Sequence, residues 1–149
     1  MSLAADFQHM ADAIDLAKAQ TGKTGKNPSV GCVIIDAKGD RLADGVTAKG
    51  GTPHAEESAL AKLKPGAAAG GTAYVTLEPC RERSAGGTSC SELLLKAGIG
   101  RVVCALADRH PNGAGGFARL VMAGISVEIG LMKAEAEPLY ADFFKKSGV

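Results

Sequence analysis

Three stretches of the 149-residue sequence hold residue types that act together in hydrolytic metal chemistry: His54-Ala55-Glu56, Pro79-Cys80 and, after nine intervening residues, Cys90. One imidazole and two thiolates supply three ligands to a zinc ion, which in catalytic sites leaves the fourth position for water. Bound zinc lowers the pKa of that water, so hydroxide is available near neutral pH. Glu56 stands two residues after His54. That spacing lets the histidine ligate while the carboxylate faces the same cavity without ligating. A carboxylate so placed takes a proton from water and passes it to a leaving amine. Taken singly, a histidine and two cysteines are more often core residues. A structural zinc is a further alternative and needs a fourth ligand, for which Cys32, Cys104 or His110 are available. Cys32 and Cys104 both sit in apolar runs, Gly31 to Ile35 and Val102 to Leu106, where a free thiol packs as a small hydrophobe. Glu56 separates an enzyme from a non-catalytic, zinc-stabilised binding module, which has no use for a non-ligand carboxylate beside its metal.

The elements that must position these groups are legible from periodicity. Phe7, Met10, Ala11, Ile14 and Ala17-Lys18 follow helical spacing and predict a helix over 5–20. Val30 to Asp36 and Arg41 to Val46 read as strands joined by the turn Ala37-Lys38-Gly39-Asp40. A loop over 47–53 delivers His54 to a helix running to about Leu63. Thr72 to Leu77 is a strand ending before Pro79. Ser89 caps a helix from Cys90 to Ala97, with Glu92 in its first turn where a carboxylate favours the helix dipole. Arg101 to Ala107 is a strand, 116–123 a helix, 126–129 a strand and 133–146 a closing helix. The order αββαβαβαβα implies a parallel portion joined to an antiparallel hairpin.

Length suits one domain over 1–149, and 46% hydrophobic with 22% charged residues is ordinary for a globular protein. Net charge is +1 with no basic run, which argues for a small-molecule substrate and against nucleic acid. The start, Met1-Ser2-Leu3-Ala4-Ala5-Asp6, has no basic n-region or long apolar stretch, so no secretory signal is expected. The apolar stretch Leu93 to Ala107 is interrupted by Lys96 and Arg101, too short and too charged for a membrane span. A cytoplasmic location is expected, where spaced cysteines serve metals more readily than disulfides.

The metal motif and its surroundings resemble one family. His54-Ala55-Glu56, the run Tyr74-Val75-Thr76-Leu77-Glu78-Pro79-Cys80 and the wide gap before Cys90 resemble the cytidine deaminase-like zinc deaminases. Within that superfamily they are most similar to the deaminase domain of bacterial riboflavin biosynthesis. Asn27-Pro28-Ser29-Val30-Gly31-Cys32 resembles that family's entry to its first strand. Ala97-Gly98-Ile99 with Arg101-Val102-Val103, Ala114-Gly115-Gly116 and Ala123-Gly124-Ile125 extend the likeness over about 7–144. The resemblance implies an α/β fold, a three-layer α/β/α sandwich around a mixed five-stranded sheet. It implies a zinc-dependent hydrolytic deaminase acting on an amino-substituted nitrogen heterocycle, with Zn2+ on His54, Cys80 and Cys90. It also implies relatives that assemble as homodimers or higher homo-oligomers; Leu139, Tyr140, Phe143 and Phe144 could serve such an interface or dock the last helix.

For substrate contacts the resemblance implies Asn27, the backbone around Leu77 and Glu78, Asp108 and His110. The family usually has a serine and two histidines after the first cysteine and eight residues before the second. Here the run is Arg81-Glu82-Arg83-Ser84-Ala85-Gly86-Gly87-Thr88-Ser89, and Arg81 and Arg83 are candidates to grip a phosphate, since guanidinium matches phosphate geometry. Thr47 stands where the family often has histidine, and Asp108-Arg109-His110-Pro111 replaces its D-P-N-P run. The expected substrate is the diaminopyrimidine ribosyl phosphate of riboflavin biosynthesis; a free base or nucleoside such as cytosine or guanine is the alternative. The family commonly carries a reductase domain after this point, and no reductase activity is expected of these residues.

Overall fold

Apolar alternation along the strands builds two cores, one on each face of a sheet. The computed structural model describes residues 2–83, 86–111 and 113–149, so Ser84 and Ala85 of the inter-cysteine run lie outside the described residues. Its elements are α1 (Leu3–Gln20), β1 (Gly31–Ile35), β2 (Arg41–Val46), α2 (Ala55–Leu60), β3 (Thr72–Val75), α3 (Cys90–Lys96), β4 (Arg101–Cys104), α4 (Gly116–Met122), β5 (Ser126–Ile129) and α5 (Lys133–Lys146). Among the described residues the strands form one sheet in the order β2-β1-β3-β4-β5. β1 is antiparallel to both β2 and β3, whereas β3, β4 and β5 run parallel. Successive side chains of a strand point to opposite faces. Cys32, Ile34, Val75, Val102 and Cys104 therefore pack with Ala55 and Ala59 of α2, Leu94 of α3 and Leu120 of α4. Val33, Ile35, Tyr74 and Val103 pack on the other side with Met10, Ala13 and Ile14 of α1 and Ala136 of α5. The result is the expected α/β/α sandwich. Cys32 and Cys104 are fully buried in it as free thiols, pushed up by that burial.

Element ends differ from the sequence reading where side chains replace backbone partners. β3 stops at Val75 rather than Leu77, because the Gly31 N–H is taken by Thr76 Oγ1 at 3.0 Å. α2 ends at Leu60 rather than Leu63, its last turn tightening into bonds from Lys62 N to Ala59 O and Leu63 N to Leu60 O. Tyr140 and Phe144 of α5 are buried with Leu77 and Leu106, and the Tyr140 hydroxyl donates to Ser29 O at 2.7 Å. These aromatics dock the last helix. At the far end of the sheet, Arg101 makes a two-pronged contact with Asp6 at 2.8 and 3.0 Å, and the Tyr74 hydroxyl donates to Asp6 at 2.6 Å. The Arg101 guanidinium holds the Asp6 carboxyl below the usual range. This cluster pins the start of α1 to β3 and β4.

Because β1 is antiparallel to β3, the chain entering β1 reaches the same end of the sheet as the chain leaving β3 and β4. Ligands of open α/β sheets bind outside the carboxyl ends of parallel strands. The segments 27–30, 77–80 and 106–110 meet there.

Candidate active site

His54 is the N-cap of α2, Cys80 follows β3, and Cys90 is the first residue of α3. His54 and Cys90 are held at helix starts, whereas Cys80 lies in the segment between β3 and α3. His54 Nδ1 lies 3.9 Å from Cys80 Sγ and 3.4 Å from Cys90 Sγ, and the three ligand atoms all fall within 4.8 Å of one another. With zinc bond lengths of about 2.3 Å to sulfur and about 2.0 Å to nitrogen, a tetrahedral ion spaces sulfur and nitrogen ligands about 3.6 Å apart. The donor set therefore fits a tetrahedral metal ion. Among the described residues no fourth protein ligand joins it. Cys32 and Cys104 face the core instead.

Sulfur charge is prepared by hydrogen bonds. A bond from the Cys90 thiol, with others from His54 and the Cys90 backbone N–H at 3.2 Å, holds the Cys80 thiol down at about 4. A divalent cation bound here deprotonates both thiols. Ser89 caps α3 through the Glu92 N–H as expected. Ser91 donates from both its N–H and its hydroxyl to Cys80 O, at 3.1 and 2.9 Å.

Glu56 lies in the first turn of α2 and is 3% exposed. Burial pushes its carboxyl up to about 7, and the Cys80 thiolate adds to the effect. A carboxyl poised there both takes and gives protons near neutral pH; a bound cation draws it lower. Glu56 opens on a cavity of about 980 Å³ that also meets His54, Cys80 and Cys90. That combination can hold a metal, a water and a proton carrier around one reacting carbon.

The remaining candidates divide sharply. Asn27, Leu77, Glu78, Arg83, Asp108 and His110 all line the cavity, whereas Arg81 does not. Asn27 closes a turn with Thr24 and donates its Nδ2 to Gly51 O at 2.8 Å. Gly51 adopts φ +108, and a Cβ there would lie 2.7 Å from that nitrogen, so only glycine suits the position. The Glu78 side chain is not turned to a ligand. Its carboxylate accepts the N–H groups of Asp108, Gly115 and Phe117 at 3.0, 3.1 and 3.0 Å. Burial raises the Asp108 carboxyl, and His110 stacks on Phe143 of α5. Arg83 is committed to Glu57 Oε1 at 3.0 Å with its side chain 14% exposed, while Arg81 is about half exposed and lies 3.7 Å from Glu82. Thr47, in place of the family histidine, is buried and accepts the Val30 N–H at 2.9 Å. Leu139, Asp142, Phe143 and Lys146 of α5 also line the cavity. Sequence reasoning missed them as site residues because an amphipathic closing helix carries no local sign of which cavity it borders.

No helix of the described residues is long and apolar enough to cross a membrane. The family model for the cytidine and deoxycytidylate deaminase zinc-binding region matches residues 4–106. The chain is 44% identical over 143 residues to the riboflavin biosynthesis protein RibD of Escherichia coli K12, covering 95% of this chain and 38% of that protein. It thus spans well under half the length of that relative. It is 39% identical to the diaminohydroxyphosphoribosylamino-pyrimidine deaminase of Buchnera aphidicola subsp. Schizaphis graminum, covering 95% of both chains. In structure it is similar to RibD of Acinetobacter baumannii, with a TM-score of 0.89 at 41% identity over 99% of this chain and 41% of that one.

Proposed function

The chain belongs to the cytidine and deoxycytidylate deaminase family, and on that premise we propose that it hydrolyses the exocyclic amine of a diaminopyrimidine ribosyl phosphate in riboflavin biosynthesis. The observation that carries this reading is a buried non-ligand carboxyl, Glu56, sharing one cavity with the set His54, Cys80 and Cys90. A purely structural metal has no need of it. Near-complete mutual coverage with a relative named for that pyrimidine supports the substrate.

His54, Cys80 and Cys90 would hold zinc, which when bound would supply a water acidic enough to give hydroxide near neutral pH. Glu56 takes one proton from the attacking water and delivers it to a ring nitrogen; it then takes the remaining hydroxyl proton of the tetrahedral carbon and passes it to the amine, so that the C–N bond breaks, ammonia departs and a carbonyl remains. Backbone carbonyls around Leu77 and Glu78 accept from that amine. The Asn27 Nδ2 is occupied by Gly51, which leaves its amide oxygen to accept a ring N–H. Asp108 and His110 line the same cavity. Arg83 is the candidate for the phosphate, since one guanidinium offers five donors and its pair with Glu57 occupies only part of them.

The test is ammonia release by zinc-loaded protein from the diaminopyrimidine ribosyl phosphate, its dephosphorylated form, cytosine and guanine. The phosphorylated pyrimidine should be preferred. Equal rates with and without phosphate would move the substrate to a base or nucleoside. No ammonia from any of them would reject the reading.

A further inference from the structure

One nitrogen on α4 touches both ends of the loop that carries the cysteines. Arg119 Nη1 lies 2.9 Å from Arg81 O, 3.0 Å from Ser89 Oγ, 3.4 Å from Ser91 Oγ and 3.0 Å from Glu92 Oε1. Arg81 directly follows Cys80, and Ser89 and Ser91 flank Cys90. The contacts therefore bracket both sulfur ligands without touching either.

The base from which Arg119 reaches is itself immobilised. A Cβ on Gly116 would lie 1.7 Å from Pro79 O, so the first turn of α4 sits hard against the backbone just before Cys80. The Glu78 carboxylate receives the Gly115 and Phe117 N–H groups on the same turn. α4 is thus registered to 78–80 at its start and to 81–92 through Arg119. Arg119 does not line the cavity, so it has no direct route to the substrate.

We propose that Arg119 is a positioning residue that fixes the spacing of the Cys80 and Cys90 sulfurs for metal binding. The inference rests on the zinc reading above. Groups around metal ligands set their orientation, and their loss typically weakens metal affinity about 10–100-fold. A loop free to relax must be ordered before both sulfurs can meet one ion, and that ordering costs metal affinity. The clamp orders the loop in advance through the residues on either side. All four acceptors surround one nitrogen rather than the guanidinium fork, so a lysine ammonium with three donors can replace most of the contact.

The experiment is zinc affinity by chelator competition on wild type, Arg119→Ala and Arg119→Lys, with cobalt absorption of the same proteins and thermal unfolding of the metal-free forms. Arg119→Ala should bind zinc about 10–100-fold more weakly and shift the thiolate-to-cobalt bands. Arg119→Lys should recover most of the affinity. At saturating zinc, KM should stay at the wild-type value in both. Wild-type zinc affinity in Arg119→Ala, or equal losses in Ala and Lys variants, would overturn the assignment. If Arg119→Ala does not fold, Arg119→Lys and Glu92→Gln carry the test: both should keep zinc within a few-fold and leave the cobalt bands unmoved, and a loss in Arg119→Lys as large as the 10–100-fold range overturns the proposal. Failure of the wild type to bind zinc would instead reject the metal reading itself, and zinc binding without ammonia release would reject only the activity.

Discussion

The floor and the rim of the cavity are built differently. The floor residues His54, Glu56 and Cys90 occupy the cap or first turn of a helix, and Cys80, on the segment after β3, is tied to the start of α3 by the Cys90 N–H and by Ser91. Their positions follow from backbone packed on both faces of the sheet. The rim draws on the loop residues Lys26, Glu82, Arg83 and His110, and on Asp142 and Lys146 near the end of α5. Chemistry that tolerates little displacement sits on rigid elements, while loops that accept substitution can change what enters. The inter-cysteine loop shows this within one segment: its two ends hold ligands and its interior carries the arginines.

The hardest blow to the floor is removal of a ligand. Cys80→Ala or Cys90→Ala should abolish stoichiometric zinc, read by metal analysis, together with turnover; full zinc in both would show that the ligands lie elsewhere. Next is Glu56→Gln, which should keep zinc and fold yet lower kcat by about 10²–10⁴-fold, the span of a lost acid-base group. Unchanged turnover there sinks the proton-carrier role, and zinc loss would make Glu56 a ligand.

The rim should respond more weakly and selectively. Arg83→Ala should lower kcat/KM for the phosphorylated pyrimidine by about 1.5–3 kcal/mol, the scale of a charge-assisted contact, and affect the dephosphorylated form much less. Equal losses on both would assign Arg83 to holding α2 through Glu57 rather than to the phosphate.

The far end of the sheet provides a contrast to both regions. Asp6 is held below its ordinary value of 3.8 by Arg101. Its contribution to stability is therefore complete above about pH 3.8 and is lost as pH falls through the lowered value, because the unfolded chain takes up its proton first. Asp6→Asn should lower thermal stability at neutral pH, flatten the acid limb of the stability profile, and leave kcat/KM untouched. An altered kcat/KM would mean that the two ends of the sheet are coupled. The smallest effect belongs to Arg81→Ala. Its half-exposed side chain does not line the cavity, so stability should stay within about 0.5 kcal/mol and the phosphate preference should not change. A lost preference would place Arg81 at the substrate after all.

The sequence by itself determined the order of the elements and the membership of the floor. Helical and strand periods are local, and His54-Ala55-Glu56, Pro79-Cys80 and Cys90 are read from residue type and spacing. The sequence also placed Cys32 and Cys104 correctly, because an apolar run on both sides buries a thiol. Only the tertiary structure decided how the polar side chains around that floor are spent. Arg83 meets Glu57 across 26 residues, and the Glu78 carboxylate reaches Gly115 and Phe117 across 37 and 39. Arg119 reaches Arg81 across 38. Such partners are chosen by which loops the sheet brings to one end, not by anything near them in the chain. Two arginines two residues apart read alike in sequence. In space one lines the cavity and the other does not, because the loop turns between them and only Arg83 finds a carboxylate on α2.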